Sequence, residues 1–170
     1  SEYAFKPNER FTMLAGLRFD YHNIYGLMIT PRVHAKFNID PSTHLRLSAG
    51  KGSRTPYVLA ENNHFLANSR RIIIDADLNQ EVAWNYGVNL TRYFLIGDSE
   101  LTLMLEVYRT DFVNQIIVDL DTSVDEVRFF NLDGKSFSNN FQVETAYQIF
   151  RGMDVKAAFR YSDVRYSLNS

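Results

Sequence analysis

Val82-Ala83-Trp84-Asn85-Tyr86-Gly87-Val88-Asn89-Leu90-Thr91 is the stretch that decides the fold. Every even position is large and apolar, and every odd position is small or polar. A strand sends successive side chains to opposite faces, so this run has one apolar face and one wet face. Leu101, Leu103, Leu105 and Val107 repeat the pattern against Thr102, Glu106 and Tyr108. Val155, Ala157, Phe159 and Tyr161 repeat it against Lys156, Arg160 and Ser162. Two objects produce such alternation. One is a soluble sheet whose apolar face lies in a core. The other is a membrane barrel with lipid outside and water inside.

Composition narrows the choice in part. The 170 residues are 45% hydrophobic and 14% aromatic, with a formal net charge of -2. That length suffices for one soluble core. The near-neutral balance argues against a nucleic-acid partner, which needs a basic stripe. Cysteine is absent, which excludes a disulfide scaffold and thiol catalysis. No apolar run approaches the ~20 residues of a spanning helix, but barrel strands alternate and never build one. Ser1-Glu2-Tyr3-Ala4-Phe5 is already strand-like, with no basic start or apolar leader, and Tyr166 to Ser170 follows a rising strand without a stop. The expectation is a piece of a larger protein.

Turn residues punctuate the chain in two kinds. Lys6-Pro7-Asn8-Glu9, Asp40-Pro41-Ser42-Thr43, Ile96-Gly97-Asp98-Ser99 and Phe150-Arg151-Gly152-Met153-Asp154 read as tight turns. Between them lie a short connection around His22 to Met28, a long one from about Ser53 to Asn79, and an acidic one around Asp119 to Glu126. Short turns at one end and longer loops at the other mark an outer-membrane barrel. The expected strands cover 10–22, 30–39, 43–52, 79–93, 99–119, 126–149 and 154–168, after the end of an earlier strand at 1–5. Several match or exceed the ~9–11 residues that cross a tilted hydrocarbon layer. The fold class is therefore all-β, an antiparallel up-and-down meander of about eight strands.

One face carries Phe11, Met13, Ala15, Leu17 and Phe19, then Val33, Ala35 and Phe37, then Leu45, Leu47 and Ala49, and almost no charge. The other carries Arg18, Asp20, Arg32, His34, Lys36, His44, Arg46, Glu81, Glu106, Glu144, Lys156 and Arg160. Arg or Lys facing lipid at the midplane costs roughly 2–4 kcal/mol, which fits this segregation. Aromatic residues gather near strand ends: Phe19 and Tyr21, Tyr93 and Phe94, Tyr147 and Phe150, Tyr161 and Tyr166. Such rings suit the headgroup level, although cross-strand packing also uses them. A soluble sheet would need a second layer over its apolar face, and no segment offers one.

Specific strings add to the periodicity. Gly16-Leu17-Arg18-Phe19-Asp20-Tyr21-His22-Asn23, then Thr30-Pro31-Arg32, resembles the barrel of TonB-dependent outer-membrane receptors. Leu47-Ser48-Ala49-Gly50-Lys51-Gly52-Ser53-Arg54-Thr55-Pro56 resembles the family's next strand and exit loop, with Ser53 where the family often has an aromatic. Glu81-x-x-Trp84-Asn85-Tyr86-Gly87, Tyr108-Arg109-Thr110-Asp111-Phe112-x-Asn114-Gln115-Ile116 and Phe130-Asn131-Leu132-Asp133-Gly134-Lys135-Ser136 resemble the strands that follow. The strings keep the family's order over nearly the whole chain. The resemblance implies that residues 1–170 are part of a receptor barrel of about 22 strands whose lumen holds a plug. This piece, from the latter part of the barrel, lacks that plug domain. It further implies the bacterial outer membrane as location, with outer-membrane lipid as surroundings. The parent would contact its plug and TonB, and would import an iron chelate, cobalamin or a glycan.

No catalytic or metal constellation stands out, and nothing calls for a cofactor. His22, His34, His44 and His64 form no ligand pair, although His34 and His44 flank one turn and could approach each other. Asp119, Asp121, Asp125 and Glu126 lack the glycine and spacing of a calcium loop. Neither Ser53 nor Ser136 lies in Gly-x-Ser-x-Gly, and Gly50-Lys51-Gly52-Ser53 lacks the phosphate-loop spacing. Recognition is expected on the long loop, because loops on rigid scaffolds carry binding. Its candidate cargo residues are Tyr57, Asn62, Asn63, His64, Arg70 and Arg71. Arg70 and Arg71 offer bidentate donors to an anionic chelate or carboxylate, or else pair locally with Glu61, Asp75 or Asp77. Ile72-Ile73-Ile74 returns the chain as an extra strand or packs under the loop. The parent's transport is one reading. The alternatives are a soluble or secreted antiparallel β-sheet binding module, and a stand-alone eight-stranded barrel.

Overall fold

The structure is a computed structural model. It describes every residue except Asn68, Ala76, Asp77, Arg151, Asn169 and Ser170, together with the side chain of Leu168. The strands are β1 (Glu2–Asn8), β2 (Phe11–His22), β3 (Gly26–Asp40), β4 (Thr43–Arg54), β5 (Arg71–Ile74), β6 (Glu81–Ile96), β7 (Ser99–Val113), β8 (Ile116–Asp119), β9 (Glu126–Asn131), β10 (Gly134–Phe150) and β11 (Met153–Leu168). Eight of them form one antiparallel sheet in the order β1-β2-β3-β4-β6-β7-β10-β11. Each strand pairs with the next long strand in the chain, as the hairpin relay predicts.

The tight turns form for local reasons. Asn8 Oδ1 accepts the Arg10 and Phe11 amides at 3.0 and 2.9 Å, and Asp40 Oδ1 accepts the Ser42 amide at 2.8 Å. Gly97 and Gly152 take φ of 61° and 96°, which disfavours a Cβ. All four turns lie at one end of the sheet. The opposite end carries the short turn after His22 and the two long connections.

Burial along β6 is inverted relative to a water-soluble sheet. Val88 is 44% exposed and Trp84 36%, whereas Asn89 and Thr91 are 7% and 2% exposed. Cross-strand registers carry the two faces through the whole sheet. Leu47 pairs with Val88 and Val88 with Val107, while Arg46 pairs with Asn89 and Asn89 with Glu106. All the residues expected on each face fall there. Among the described residues no second layer covers the apolar face, and no helix is long and apolar enough to cross a membrane, which says nothing of a barrel.

Three expectations change. First, the apolar face does carry charge at its margins. The registers place Lys51 beside Trp84, Asp111 opposite Trp84, Arg109 opposite Tyr86 and Arg92 opposite Leu103 on that face, with Asp163 and Arg165 continuing the series on β11. Arg109 pairs with Asp111 and lies 4.5 Å over the Phe137 ring; Arg92 lies 5.0 Å over Phe94. Second, 99–119 and 126–149 are not continuous strands. Asn114, at φ 56°, breaks the first, and the Leu132 amide bonds to the Gln115 carbonyl at 2.7 Å where the second breaks. Third, β3 starts at Gly26 rather than 30, so the connection after His22 is itself a tight turn.

The breaks send β8 and β9 into a second sheet, ordered β5-β9-β8, in which β5 runs parallel to β9. Ile72 to Ile74 thus return as a strand. Val127 and Phe129 are fully buried there against Val58, Phe65, Ile72, Leu78, Ile116 and Val118. The packed apolar core of the molecule sits in this small cap, at the long-loop end of the sheet.

Candidate functional site

The cap joins both long connections into one body. Arg128 donates to both Asp75 oxygens, and the Asp75 amide donates to the Phe129 carbonyl at 3.1 Å. Asn131 ties the ends together. Its Nδ2 donates to the carbonyls of Asn79 (3.1 Å) and Asn114 (2.7 Å), and its Oδ1 accepts the Asn79 amide. Glu81, at the start of β6, fastens the cap to the large sheet. One carboxylate oxygen accepts the Ile116 amide at 2.9 Å, and the other accepts the Arg54 guanidinium. Arg54 also reaches Glu61 at 3.4 Å.

The predicted loop residues fall into two groups. Asn62 caps helix α1 (Val58–Glu61): its backbone amide and Nδ2 both donate to the Val58 carbonyl. His64 packs against Phe65, with ring centroids 4.0 Å apart, in the short 3-10 turn Asn63–Ala67. Tyr57 is 63% exposed and Asn63 is exposed. The local carboxylates are mostly taken by other arginines: Glu61 by Arg54 and Asp75 by Arg128. Asp77 lies outside the described residues. Arg71 opens β5 with its amide bonded to the Asp125 carbonyl at 2.8 Å, and its guanidinium pairs with no carboxylate among the described residues. Arg70 is half-buried and engaged within the chain. Tyr57, Asn63, His64 and Arg71 are exposed on the cap.

Under the stems of the long loop lies a cavity of about 780 Å³, which the loop-centred reading missed. Its wall includes Arg18, Asp20, Met28, Thr30, Arg32 and Gln80. Arg18 Nε meets Asp20 Oδ2 at 2.7 Å, and Arg32 pairs with Glu2. Gly16 makes room for this: a Cβ there would stand 2.8 Å from Arg32 Nε and 2.9 Å from its Cγ, so the Arg32 side chain passes over the bare backbone. Gln80 touches the Met28 sulfur and closes one side. The signal was present in the sequence, because Arg18, Asp20 and Arg32 all fall on the wet face near one end.

The acidic segment holds its own turn. Asp119 accepts the amides of Asp121 and Thr122, at 2.9 and 3.0 Å, and the Thr122 hydroxyl. Those bonds, the hydroxyl first, hold the Asp119 carboxyl below the usual aspartate range. Asp125 contributes its carbonyl to Arg71, and no acidic cluster with metal-ligand geometry forms among the described residues. His44 bonds Asn38 Oδ1 at 2.8 Å and meets Tyr93 edge-on, whereas His34 pairs in register with Ser48; the two histidines do not come together.

Comparison with known proteins agrees with this architecture. The family model described as TonB dependent receptor-like, beta-barrel, matches residues 1–170. Among solved structures, the FrpB iron transporter from Neisseria meningitidis (F3-3 variant) superposes with a TM-score of 0.71 at 17% identity, over 97% of this chain and 25% of that one. The siderophore receptor PirA from Pseudomonas aeruginosa superposes with a TM-score of 0.61 at 12% identity, over 96% of this chain and 36% of that one. The chain thus spans about a quarter to a third of those structures. No curated protein matches the sequence.

Proposed function

Since the chain belongs to the TonB-dependent receptor-like β-barrel family, we propose that it is barrel wall from an outer-membrane receptor that imports an iron chelate. The observation that carries this reading is the inverted burial: Val88 and Trp84 exposed, Asn89 and Thr91 buried. A water-soluble sheet would hide the first pair. A barrel wall presents them to lipid and turns the second pair to the lumen. The solved structures it superposes on are named as an iron transporter and a siderophore receptor, which favours an iron chelate over cobalamin or a glycan.

In this reading the cap and the cavity beneath it form the outer rim of the lumen. Tyr57, Asn63, His64 and Arg71 face a ligand from the cap, and Arg18 and Arg32 from the wall. Arg70 and Asn62 hold the loop in shape beside them. An anionic chelate would be drawn by the guanidinium groups and would exchange with Asp20 and Glu2 for them. The plug and TonB act through the rest of the parent protein.

Ferric-chelate binding by the full-length receptor tests this, comparing Arg71→Ala with Arg18→Ala and Arg70→Ala. A loss of about tenfold or more for Arg71 and Arg18, with the barrel still folded, is the expected result. Unchanged binding in both variants would remove the cargo role from cap and wall alike.

A further inference from the structure

The small sheet of the cap has an open edge. β5 pairs with β9 along one side, and among the described residues no strand pairs with its other side. The amides of Arg71 and Asp75 donate to the Asp125 and Phe129 carbonyls, at 2.8 and 3.1 Å. Backbone groups alternate along a strand, so Ile72 and Ile74 turn their N–H and C=O groups to the open side. Such an edge is a template for another strand unless charge, proline or a bulge blunts it. This one reads Arg71-Ile72-Ile73-Ile74-Asp75, a β-branched run with no proline or glycine.

The charges at its two ends are of opposite sign, and that selects the partner. In an antiparallel pair of two such strands centred on Ile73, Arg71 of each copy stands opposite Asp75 of the other. Ile72 stands opposite Ile74, and Ile73 opposite Ile73. The backbone requires the same register. Ile72 and Ile74 carry the groups that face outward, and they become the hydrogen-bonded pairs. Arg71, Ile73 and Asp75 fall at the other positions, where opposite side chains come closest. A parallel pair in register would instead set Arg71 against Arg71 and Asp75 against Asp75. Arg71 is exposed, and its guanidinium pairs with no carboxylate among the described residues. Each Asp75 oxygen takes one bond from Arg128, which leaves lone pairs for a second arginine.

We propose that β5 is a self-pairing edge, through which two copies of the receptor join antiparallel. Their caps then form one continuous sheet in the order β8-β9-β5-β5-β9-β8. The contact is isologous, with its two-fold axis through the Ile73 pair. An edge this short holds weakly in free solution. It suffices between molecules confined to one membrane, where effective concentration is high, and in that respect the inference rests on the barrel reading. Pairing engages Arg71 with Asp75 of the other copy, so the cargo contact assigned to Arg71 above belongs to the unpaired receptor.

The test uses the full-length receptor in membranes, on a background without other cysteines. Ile73→Cys is oxidised with copper phenanthroline and run on a gel without reducing agent. Non-hydrogen-bonded partners stand ~4.5 Å apart at Cα, within reach of a disulfide, so a covalent dimer is expected. Arg71→Cys should stay monomeric, because the register holds its two copies roughly 13 Å apart. Val124→Cys, at a position more exposed than Ile73, controls for chance collision and should cross-link far less. Ile74→Pro removes an outward N–H and leaves the β9 ladder intact, so it should reduce the Ile73→Cys dimer about tenfold. Arg71→Glu sets like charges opposite each other and should reduce it likewise. Hydrogen exchange over β9 confirms that the cap stays folded in each variant. A monomeric Ile73→Cys receptor, equal cross-linking at Arg71→Cys or Val124→Cys, or a dimer indifferent to either Ile74→Pro or Arg71→Glu overturns the proposal. The edge is then bare or covered by another segment of the parent. A Val88→Cys control reports on the barrel reading separately: labelling only by a lipid-soluble maleimide upholds it whether or not the dimer forms.

Discussion

Arg128 donates two hydrogen bonds to Asp75, at 2.9 and 3.1 Å, across 53 residues of sequence. That bidentate pair clasps β5 to β9 on the outside of the cap, while Ile72, Val127 and Phe129 close the inside. Because the pair is well over one-third exposed on the arginine side, water screens it. Asp75→Ala should lower global stability by less than ~1 kcal/mol. It should still speed amide hydrogen exchange throughout β5, because β5 is four residues long and pairs along one edge only. Exchange in β6 and β7 should not change. Acceleration there would mean that the cap is not a separate cooperative unit.

Gly87 faces the lumen side of β6, where one edge of the Tyr108 ring crowds it from β7 and Ser48 closes from β4. A Cβ at Gly87 would overlap the Cδ1–Cε1 edge of the Tyr108 ring and the Ser48 hydroxyl. Gly87→Ala should therefore destabilise by about 1–3 kcal/mol through overpacking. Adding Tyr108→Ser should recover much of that loss. A double-mutant cycle on urea midpoints of the refolded barrel measures the coupling; simple additivity would show that the ring moves aside freely.

Val88→Arg puts a cation in the middle of the apolar band, and Thr102→Arg puts one on the opposite face. The first should cost roughly 2–4 kcal/mol of folding into bilayers and the second far less. Refolding yields in vesicles of a short-chain phosphatidylcholine check the difference. Equal costs would contradict the assignment of faces.

Asp119 gives the cap a pH dependence with a definite sign. Its carboxyl is held below the ordinary aspartate range by Thr122 and two backbone amides. A group lowered on folding contributes above its unfolded pKa and loses that contribution as pH falls through the lowered value. The turn after β8 should stay formed at neutral pH and loosen only in strong acid. The Thr122 amide resonance should report this, and Asp119→Asn should remove the acid transition.

The eight long strands and both faces were legible because alternation is a local signal, and Trp84 to Leu90 state it without a break. The cap was not. Phe112-Val113-Asn114-Gln115-Ile116 keeps an alternating appearance through the break, and only the left-handed Asn114 ends β7. Pairing of Ile72–Ile74 with Val127–Phe129 joins segments more than fifty residues apart, which no window of sequence reveals. Among the candidate site residues, Tyr57 and Arg71 are exposed as loop composition suggested. Asn62 caps α1 with its side-chain amide, and a capping amide and a ligand-binding amide look alike in sequence. Alternation alone puts Arg18 and Arg32 on the wet face, and only the fold brings them under the loop stems.

Two of the outward-facing arginines at the margins of the apolar band act as a ruler. Arg109 leans over Phe137 toward the cap end, and Arg92 leans over Phe94 toward the tight turns. Six residues of β7 separate Arg109 from Leu103, the register partner of Arg92. At ~3.3 Å per residue that is roughly 20 Å along the strand. With a tilt of about 40° it spans some 15 Å of depth, less than the ~25 Å apolar height usual for such barrels. Snorkelling in opposite directions lengthens the span at both ends. The consequence is hydrophobic mismatch: this stretch of wall suits a thin membrane, and a thicker bilayer would have to pinch inward along β6 and β7 to meet it.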